Sequence, residues 1–306
     1  MMPEAKRDVV PRVSVLMTSY NAGQFIRAAV DSVIAQTFTD WELIAVDDGS
    51  TDDSLSVLKG YSDSRVRVFQ MEKNVGRIRA LRFAFGQARG EYGAIMDADD
   101  ISYPDRLMRQ VDFLDKNPDV GLVGSWAKYI DEHANVSGEF TPSPNEQELY
   151  DSLGWTNPIP HSSTMYRRQL AVEVGAYSEN IEVSNDYALI LAVVQRARIA
   201  VMDDFLCQVR VLSTSMSRSS GYRAHFINER LLLFRRASAS LKLSAGSRML
   251  NRRAIAIDEI KLGIIAIRNK SFFEGSKMIL SGIFFAPSVI WRNGPVMRLF
   301  GVKPGF

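Results

Sequence analysis

The sequence predicts an α/β protein whose first 130 or so residues form a mainly parallel sheet covered by helices on both faces. Two observations carry this expectation. Short apolar runs alternate with helix-patterned stretches, the signature of strand–helix–strand units. A polar cluster also stands where each of three strands would end, and ligands of such sheets sit beyond the carboxyl ends of strands.

Taken in order, Val13-Ser14-Val15-Leu16-Met17 reads as a short buried strand. Ile26, Ala29, Val30, Val33 and Ile34 then repeat at the spacing of one helix face. Glu42 to Val46 reads as a second strand, Asp52 to Tyr61 as a second helix, and Arg65 to Phe69 as a third strand. A helix from about Gly76 to Ala88 leads into the apolar run Tyr92-Gly93-Ala94-Ile95. Pro104 is expected to open the next helix, where a missing N–H costs nothing. Beyond Ile130 the alternation stops, and Pro-punctuated loops appear at Thr141–Pro144 and Asn157–Pro160. Val183 to Val194 reads as helix, Ser213 to Gly221 as a Ser-rich loop, and the chain from Tyr222 as helices rich in Arg and Lys.

The bulk numbers exclude several classes. With 306 residues and a formal charge of +2, the chain can bury a full core and carries no charge excess that would suit nucleic acid. The single Cys207 rules out an internal disulfide and suits a reducing compartment. Met1 to Pro11 lacks the apolar core of a signal peptide, and no segment reaches the roughly 20 apolar residues of a spanning helix. The expected location is the cytoplasm, extending to the inner face of the cytoplasmic membrane.

The polar clusters carry the chemistry. Met96-Asp97-Ala98-Asp99-Asp100 puts three carboxylates at the end of a buried strand, where they repel one another unless a cation sits there. Alternating Asp residues suit a hard divalent ion that keeps positions open for phosphate oxygens. Thr18-Ser19-Tyr20-Asn21 and Asp47-Asp48-Gly49-Ser50 stand at the ends of the first two strands. Alone, each cluster reads as a turn or a helix cap. No G-x-G-x-x-G follows the first strand and no G-x-x-x-x-G-K-[ST] occurs, which argues against dinucleotide-binding dehydrogenases and P-loop nucleotidases.

Taken together, Val13 to Asn21, Val46 to Asp52, Asn74 and Gly76, and Gly90-Glu91-Tyr92 leading to Asp97-Ala98-Asp99-Asp100 resemble the family 2 glycosyltransferases. The likeness covers about residues 12 to 215. It implies a GT-A fold: a Rossmann-like nucleotide-binding half, about 12–130, and an acceptor half, about 131–215. An N-terminal tail, 1–11, and a helical C-terminal region, 216–306, flank them. The implied reaction is inverting transfer of a sugar from a nucleotide diphosphate sugar, with a UDP-sugar the expected donor.

The resemblance also implies roles. Thr18, Tyr20 and Asn21 would lie around the nucleoside, and Asp48 would accept from the base N–H. Asp97 would lie near ribose and metal, and Asp99 would ligate Mg²⁺ or Mn²⁺ bridging the diphosphate. Arg77 and Arg79 are candidates for base or phosphate contact. Asp186, in Ser184-Asn185-Asp186-Tyr187, holds the position of the catalytic base, although Asn185 replaces the family's usual Glu. His161 matches a stretch lining the acceptor side. Arg210 stands where many relatives carry an Arg-x-His, and would supply positive charge to the phosphates.

Met278 to Trp291 is apolar, too short to span a bilayer, and surrounded by Lys261, Arg268, Lys270, Lys277, Arg292 and Arg298. That pattern suits either an interfacial helix pair on an anionic membrane or a cap packed on the protein. The expected acceptor is a glycan, lipid-linked on the cytoplasmic side. Alternatives are transfer to a polyprenyl phosphate, which needs no base and so makes no use of Asp186, and a degenerate nucleotide-sugar-binding protein, in which the acidic motifs would be eroded. A nucleotidyltransferase would carry a Gly-rich basic loop after the first strand, and Thr18 to Gly23 is not one.

Overall fold

The computed structural model describes residues 10–177, 180–212 and 222–286. The Ser-rich stretch 213–221 and the end of the apolar tail segment, 287–291, lie outside the described residues. The chain divides into two compact units. One takes in the chain up to Pro144 together with Ile159–Val211, the other Asn145–Pro158 together with the chain from Leu212 onward.

The first unit opens with strand β1 (Val13–Ser19), helix α1 (Gly23–Ile34), β2 (Trp41–Asp47), α2 (Ser54–Lys59), β3 (Val66–Gln70), α3 (Arg77–Gln87) and β4 (Tyr92–Ile95). Then come β5 (Ile101–Ser102), α4 (Arg106–Lys116), β6 (Val120–Ile130) and β7 (Val136–Phe140). Helix α5 (Glu146–Ser152) belongs to the second unit. The first unit resumes with a 3₁₀ turn at His161–Ser163, β8 (Met165–Arg167), α6 (Arg168–Glu173), α7 (Asn185–Val193) and β9 (Arg198–Arg210).

These strands form one sheet in the order β3-β2-β1-β4-β8-β6-β9-β5, with β7 paired to β6. Strands β3, β2, β1 and β4 run parallel, so their carboxyl ends share one edge. Strand β8 pairs antiparallel with both β4 and β6, and β6 runs parallel to β9. The expected mixed, mainly parallel sheet flanked by helices is therefore present. Strand β2 is buried along its whole length because helices cover both its faces. Helix α1 packs through Ile26, Ala29, Val30 and Val33, and α4 through Leu107, Val111 and Leu114, the expected single-face stripes.

One boundary differs from expectation. Pro104 does not open α4: Asp105 precedes the first helical residue, and the Pro104 carbonyl instead accepts from the Thr37 backbone N–H at 2.8 Å. Proline gives up its own donor, and here its acceptor ties two loops together.

The second unit holds α5, α8 (Arg223–Ser240), α9 (Ala245–Arg268) and α10 (Phe272–Phe285). Segment 145–158 joins these helices through backbone groups: Asp151 accepts from Ser244 N–H at 2.9 Å, and Asn251 donates to the Gly154 carbonyl. Arg230 forks onto the buried Asp258 between α8 and α9, at 2.7 and 2.5 Å. Helices α9 and α10 approach closely at Gly263 and Gly275, where a Cβ on either would fall 2.6 Å from the other's carbonyl oxygen. Among the described residues no helix is long and apolar enough to cross a membrane.

Candidate functional site

The parallel strands bring the sequence-selected clusters to one edge. Ser19 lies in register with Asp47, and Leu16 with Ile95, so Thr18, Asp48 and Asp97 lie at the carboxyl ends of three neighbouring strands. The loops between them are cross-braced. Asn21, at φ 51°, receives Thr51 N–H on its side-chain oxygen at 2.9 Å and donates its own backbone N–H to Ser50 Oγ at 3.0 Å. Gly49 has φ 70°, and a Cβ there would fall 2.6 Å from the Asn74 nitrogen. Only glycine lets these two loops meet. Tyr20 is half exposed above them.

Asp48 is buried and already employed. Its two oxygens accept from Val75 N–H at 2.8 Å and Gly76 N–H at 3.0 Å, which fixes the loop leading into α3. Burial and the neighbouring Asp47 push its pKa up against these two hydrogen bonds. A base N–H would have to use the remaining lone pairs of the same oxygens. Beside this loop lies a cleft lined by Val75, Gly76, Ile78, Arg79 and Glu182, which is where the structure places Arg79.

Arg77, one turn face away, meets the acidic cluster instead. Its Nη2 donates to Asp97 Oδ1 at 2.8 Å and lies 2.7 Å from His161 Nδ1. Burial alone would raise the Asp97 pKa, but the Arg77 charge and His161 outweigh it and hold Asp97 well below the usual carboxylate range. Burial would lower the pKa of Arg77, and Asp97 first, then Asp186 and Asp99, raise it. Asp186, whose charge is among those that raise the Arg77 pKa, lies in the first turn of α7. Ser184, not Asp186, occupies the N-cap of that helix. Asn185 is buried, donating to the Glu182 carbonyl at 3.1 Å, and its side-chain oxygen has no hydrogen-bond partner.

The other two carboxylates behave differently. Asp99 accepts from its own backbone N–H, and burial together with the Asp97 charge pushes its pKa up to about 6. Asp100 is fully buried, takes Arg210 N–H at 2.7 Å and the Ser162 hydroxyl, and is pushed well above the usual range by burial and its two acidic neighbours. Arg210 sits under this loop: Nε donates to the Asp99 carbonyl at 2.8 Å, Nη1 donates to the Asp131 carbonyl, and the guanidinium stacks 4.6 Å from the Phe25 ring centroid. Two of its donors are spent on backbone, so its first effect is to brace the acidic loop.

Two contributors were not singled out from sequence. Arg106, 1% exposed, donates to the carbonyls of Ile95 and Thr164 at 2.9 and 3.1 Å and to Ser102 Oγ at 3.0 Å. Ser162 Oγ accepts Asp97 N–H at 3.0 Å, joining the His161 turn to the loop. Arg106 heads a helix whose apolar stripe starts one residue later, so periodicity reads it as solvated. For Ser162, only its place next to His161 was a signal.

Among the described residues no group of three or more His, Cys, Asp or Glu converges as a ready-made metal cage. The chemistry of the donor set nevertheless fits a cation. Among the described residues no side chain makes a direct ion pair with the largely buried Asp99, and a magnesium-like ion is typically held by one or two carboxylates plus substrate phosphates.

Comparison with known proteins places this geometry. A family profile described as Glycosyl transferase family 2 matches residues 14–175. An uncharacterised glycosyltransferase of Methanocaldococcus jannaschii is 30% identical over 207 residues, 66% of this chain and 71% of that protein. The Escherichia coli UDP-Glc:alpha-D-GlcNAc-diphosphoundecaprenol beta-1,3-glucosyltransferase WfgD is 28% identical over 212 residues, 69% of this chain and 81% of that protein. Among solved structures, S. aureus TarS 1-349 in complex with UDP-GlcNAc superposes with a TM-score of 0.65 at 20% identity, covering 93% of this chain and 83% of that one. Mannosyltransferase PcManGT from Pyrobaculum calidifontis, in complex with GDP-Man and Mn²⁺, gives a TM-score of 0.60 at 19% identity, covering 95% and 79%. At those identities the two structures speak for the fold.

Proposed function

The chain belongs to glycosyl transferase family 2, and from that premise we propose that it is an inverting, metal-dependent enzyme moving a sugar from a nucleoside diphosphate sugar to a hydroxyl of a lipid-linked glycan. The observation that carries this reading is the position of Asp97 and Asp99 at the end of β4, with Asp97 held by the Arg77 guanidinium at 2.8 Å, and of Asp186 in the first turn of α7. In this reading Asp97 and Asp99 serve the donor and Asp186, at the head of a separate helix, serves the acceptor, the division of roles that displacement at a sugar carbon from opposite faces requires.

Asp99, with Asp97, would hold Mg²⁺ or Mn²⁺, which when bound neutralises charge on the departing diphosphate. The chain's own residues do the rest. The loop fixed by Asp48, with Thr18 and Tyr20, receives the nucleoside. Arg77 offers its positive charge to phosphate oxygens. Asp186 accepts the acceptor hydroxyl's proton as that oxygen attacks the anomeric carbon, so that the C–O bond to the diphosphate breaks as the new one forms. A polyprenyl phosphate acceptor is already ionised and would leave Asp186 without that task.

The WfgD relative, whose printed acceptor is a diphosphoundecaprenol saccharide, supports a lipid-linked acceptor. So does α10, where Phe272, Phe273 and Leu280 are exposed by 65, 81 and 66% and Lys277 stands among them. Such a face suits an anionic membrane surface, and with it a location at the inner leaflet.

The test is a panel of nucleotide sugars incubated with purified protein, Mg²⁺ or Mn²⁺, and lipid-linked saccharides. Product linkage is read by NMR. Transfer that is inverted at the anomeric carbon and abolished by chelation supports the reading. Transfer that persists in excess chelator, or that retains configuration, defeats it.

A further inference from the structure

The donor-side carboxylates carry a cation of their own. Arg77 opens α3, directly after Gly76, whose φ of 92° and whose N–H bond to Asp48 fix the chain at that point. Its Nη2 contacts Asp97 Oδ1 at 2.8 Å and His161 Nδ1 at 2.7 Å together. His161 Nδ1 thus stands between a guanidinium that can only donate and a carboxylate, whose oxygens it faces at 3.1 and 3.3 Å, and its role toward each follows from the ring tautomer. The His161 side chain is nine-tenths buried, and its Nε2 has no hydrogen-bond partner. Buried polar ring nitrogens are rarely left without a partner.

Resting on the reading that Asp97 and Asp99 receive a metal-bound diphosphate, we propose that Arg77 is a resident counter-cation: it caps Asp97 in the donor-free protein and must leave Asp97 for the metal to be received. A divalent ion arriving alone meets a carboxylate already neutralised and a positive charge beside it. A diphosphate arriving with the ion gives Arg77 phosphate oxygens in exchange for Asp97. Metal and nucleotide are therefore received together, and His161 is released from Arg77. Arg77 acts through this exchange as a positioning residue.

The experiment measures Mn²⁺ binding by the EPR signal of the free ion, with and without saturating UDP, in the wild-type protein and in Arg77→Gln. The wild type should bind Mn²⁺ weakly alone and at least about tenfold more tightly with UDP. Arg77→Gln should bind Mn²⁺ alone about tenfold more tightly than wild type, since one full charge has left its surroundings. Equal or weaker binding of Mn²⁺ alone by a folded Arg77→Gln overturns the proposal and leaves the functional reading standing. No Mn²⁺ binding by wild type even with UDP defeats both. A second measurement needs no variant: hydrogen exchange of residues 74–80 in the wild type should change when Mn²⁺ and UDP are added together and not with Mn²⁺ alone. The same response to Mn²⁺ alone, or none to the pair, overturns the proposal even if Arg77→Gln does not fold.

Discussion

Glu42→Gln should destabilise the sheet that presents the site without touching the site itself. Glu42 lies on β2 and is 2% exposed, yet it carries five hydrogen bonds. One oxygen accepts from Ser14 Oγ at 2.7 Å and Arg89 N–H at 3.0 Å. The other accepts from Arg67 Nη1 at 2.8 Å and from Arg89 Nε and Nη2 at 3.1 and 2.9 Å. The carboxylate thus ties β1, β2, β3 and the turn before β4. Glutamine keeps one acceptor and turns an NH₂ toward either the two guanidiniums or the Arg89 N–H. Breaking a fully buried pair costs about 3–5 kcal/mol, but the Arg67 and Arg89 side chains are 28 and 40% exposed and can rehydrate. We therefore expect about 2–3 kcal/mol, or a Tm lower by about 4–12 °C. The pH dependence has a definite sign. Burial would raise the Glu42 pKa, but the Ser14, Arg67 and Arg89 bonds outweigh it and leave it below its ordinary 4.5. Its stabilisation is thus full above that value and fades as pH falls through the lower folded-state pKa. Urea unfolding of both proteins at pH 7 and pH 3 is the assay, and the gap should narrow at pH 3. A gap under about 0.5 kcal/mol at pH 7, or one that does not move with pH, would refute the reasoning.

Three further outcomes are expected. Asp186→Asn should lower kcat by about 10²- to 10⁴-fold while calorimetry finds UDP–metal affinity little changed; loss of donor binding instead would mean that α7 serves the donor. Asp99→Asn should weaken Mn²⁺ binding in the presence of UDP by at least about tenfold. Because Asp99 holds a proton up to about pH 6 in the metal-free protein, Mn²⁺ uptake should release that proton at pH 5.5 to 6 and release none from it at pH 8, read by calorimetry in buffers of different ionisation enthalpy. Phe273→Glu with Leu280→Glu should abolish pelleting with anionic vesicles while leaving the protein folded by circular dichroism; unchanged partitioning would show that α10 does not meet the membrane.

The β/α alternation up to β4 was legible because β1, β2 and β4 are apolar runs, β3 alternates charged and apolar residues, and helices with apolar faces stand between them. Strands β5 and β8 were not, since two or three residues carry no period, and their pairing is set by distant partners. Strand β9 runs through Asp203 and Asp204 without a break. Asp204 is tolerated because Arg109 of α4 meets it at 2.5 Å. The site's acidic half could be seen because three Asp residues at a strand end are chemically conspicuous. Its basic half was legible in part: the family resemblance marked Arg77 and Arg210 for phosphate contact, whereas their bonds to the acidic loop, and Arg106 altogether, emerge only when the fold turns them onto that loop.

Those arginines explain how three carboxylates within four residues can share one strand end. Asp100 accepts Arg210 N–H and the Ser162 hydroxyl, and burial drives it toward its neutral form. Asp97 is kept ionised by Arg77. Arg106 supplies charge from beneath, spending its hydrogen bonds on the carbonyls of Ile95 and Thr164 and so holding the end of β4 in place. Asp99 is left with a negative charge that, among the described residues, no side chain meets by direct contact. One uncompensated carboxylate is too little to hold a divalent ion by itself. It suffices when the ion arrives on a diphosphate that supplies the remaining oxygens. On the proposed functional reading, such a site would select the loaded donor over free metal because of the charge its own arginines have already cancelled.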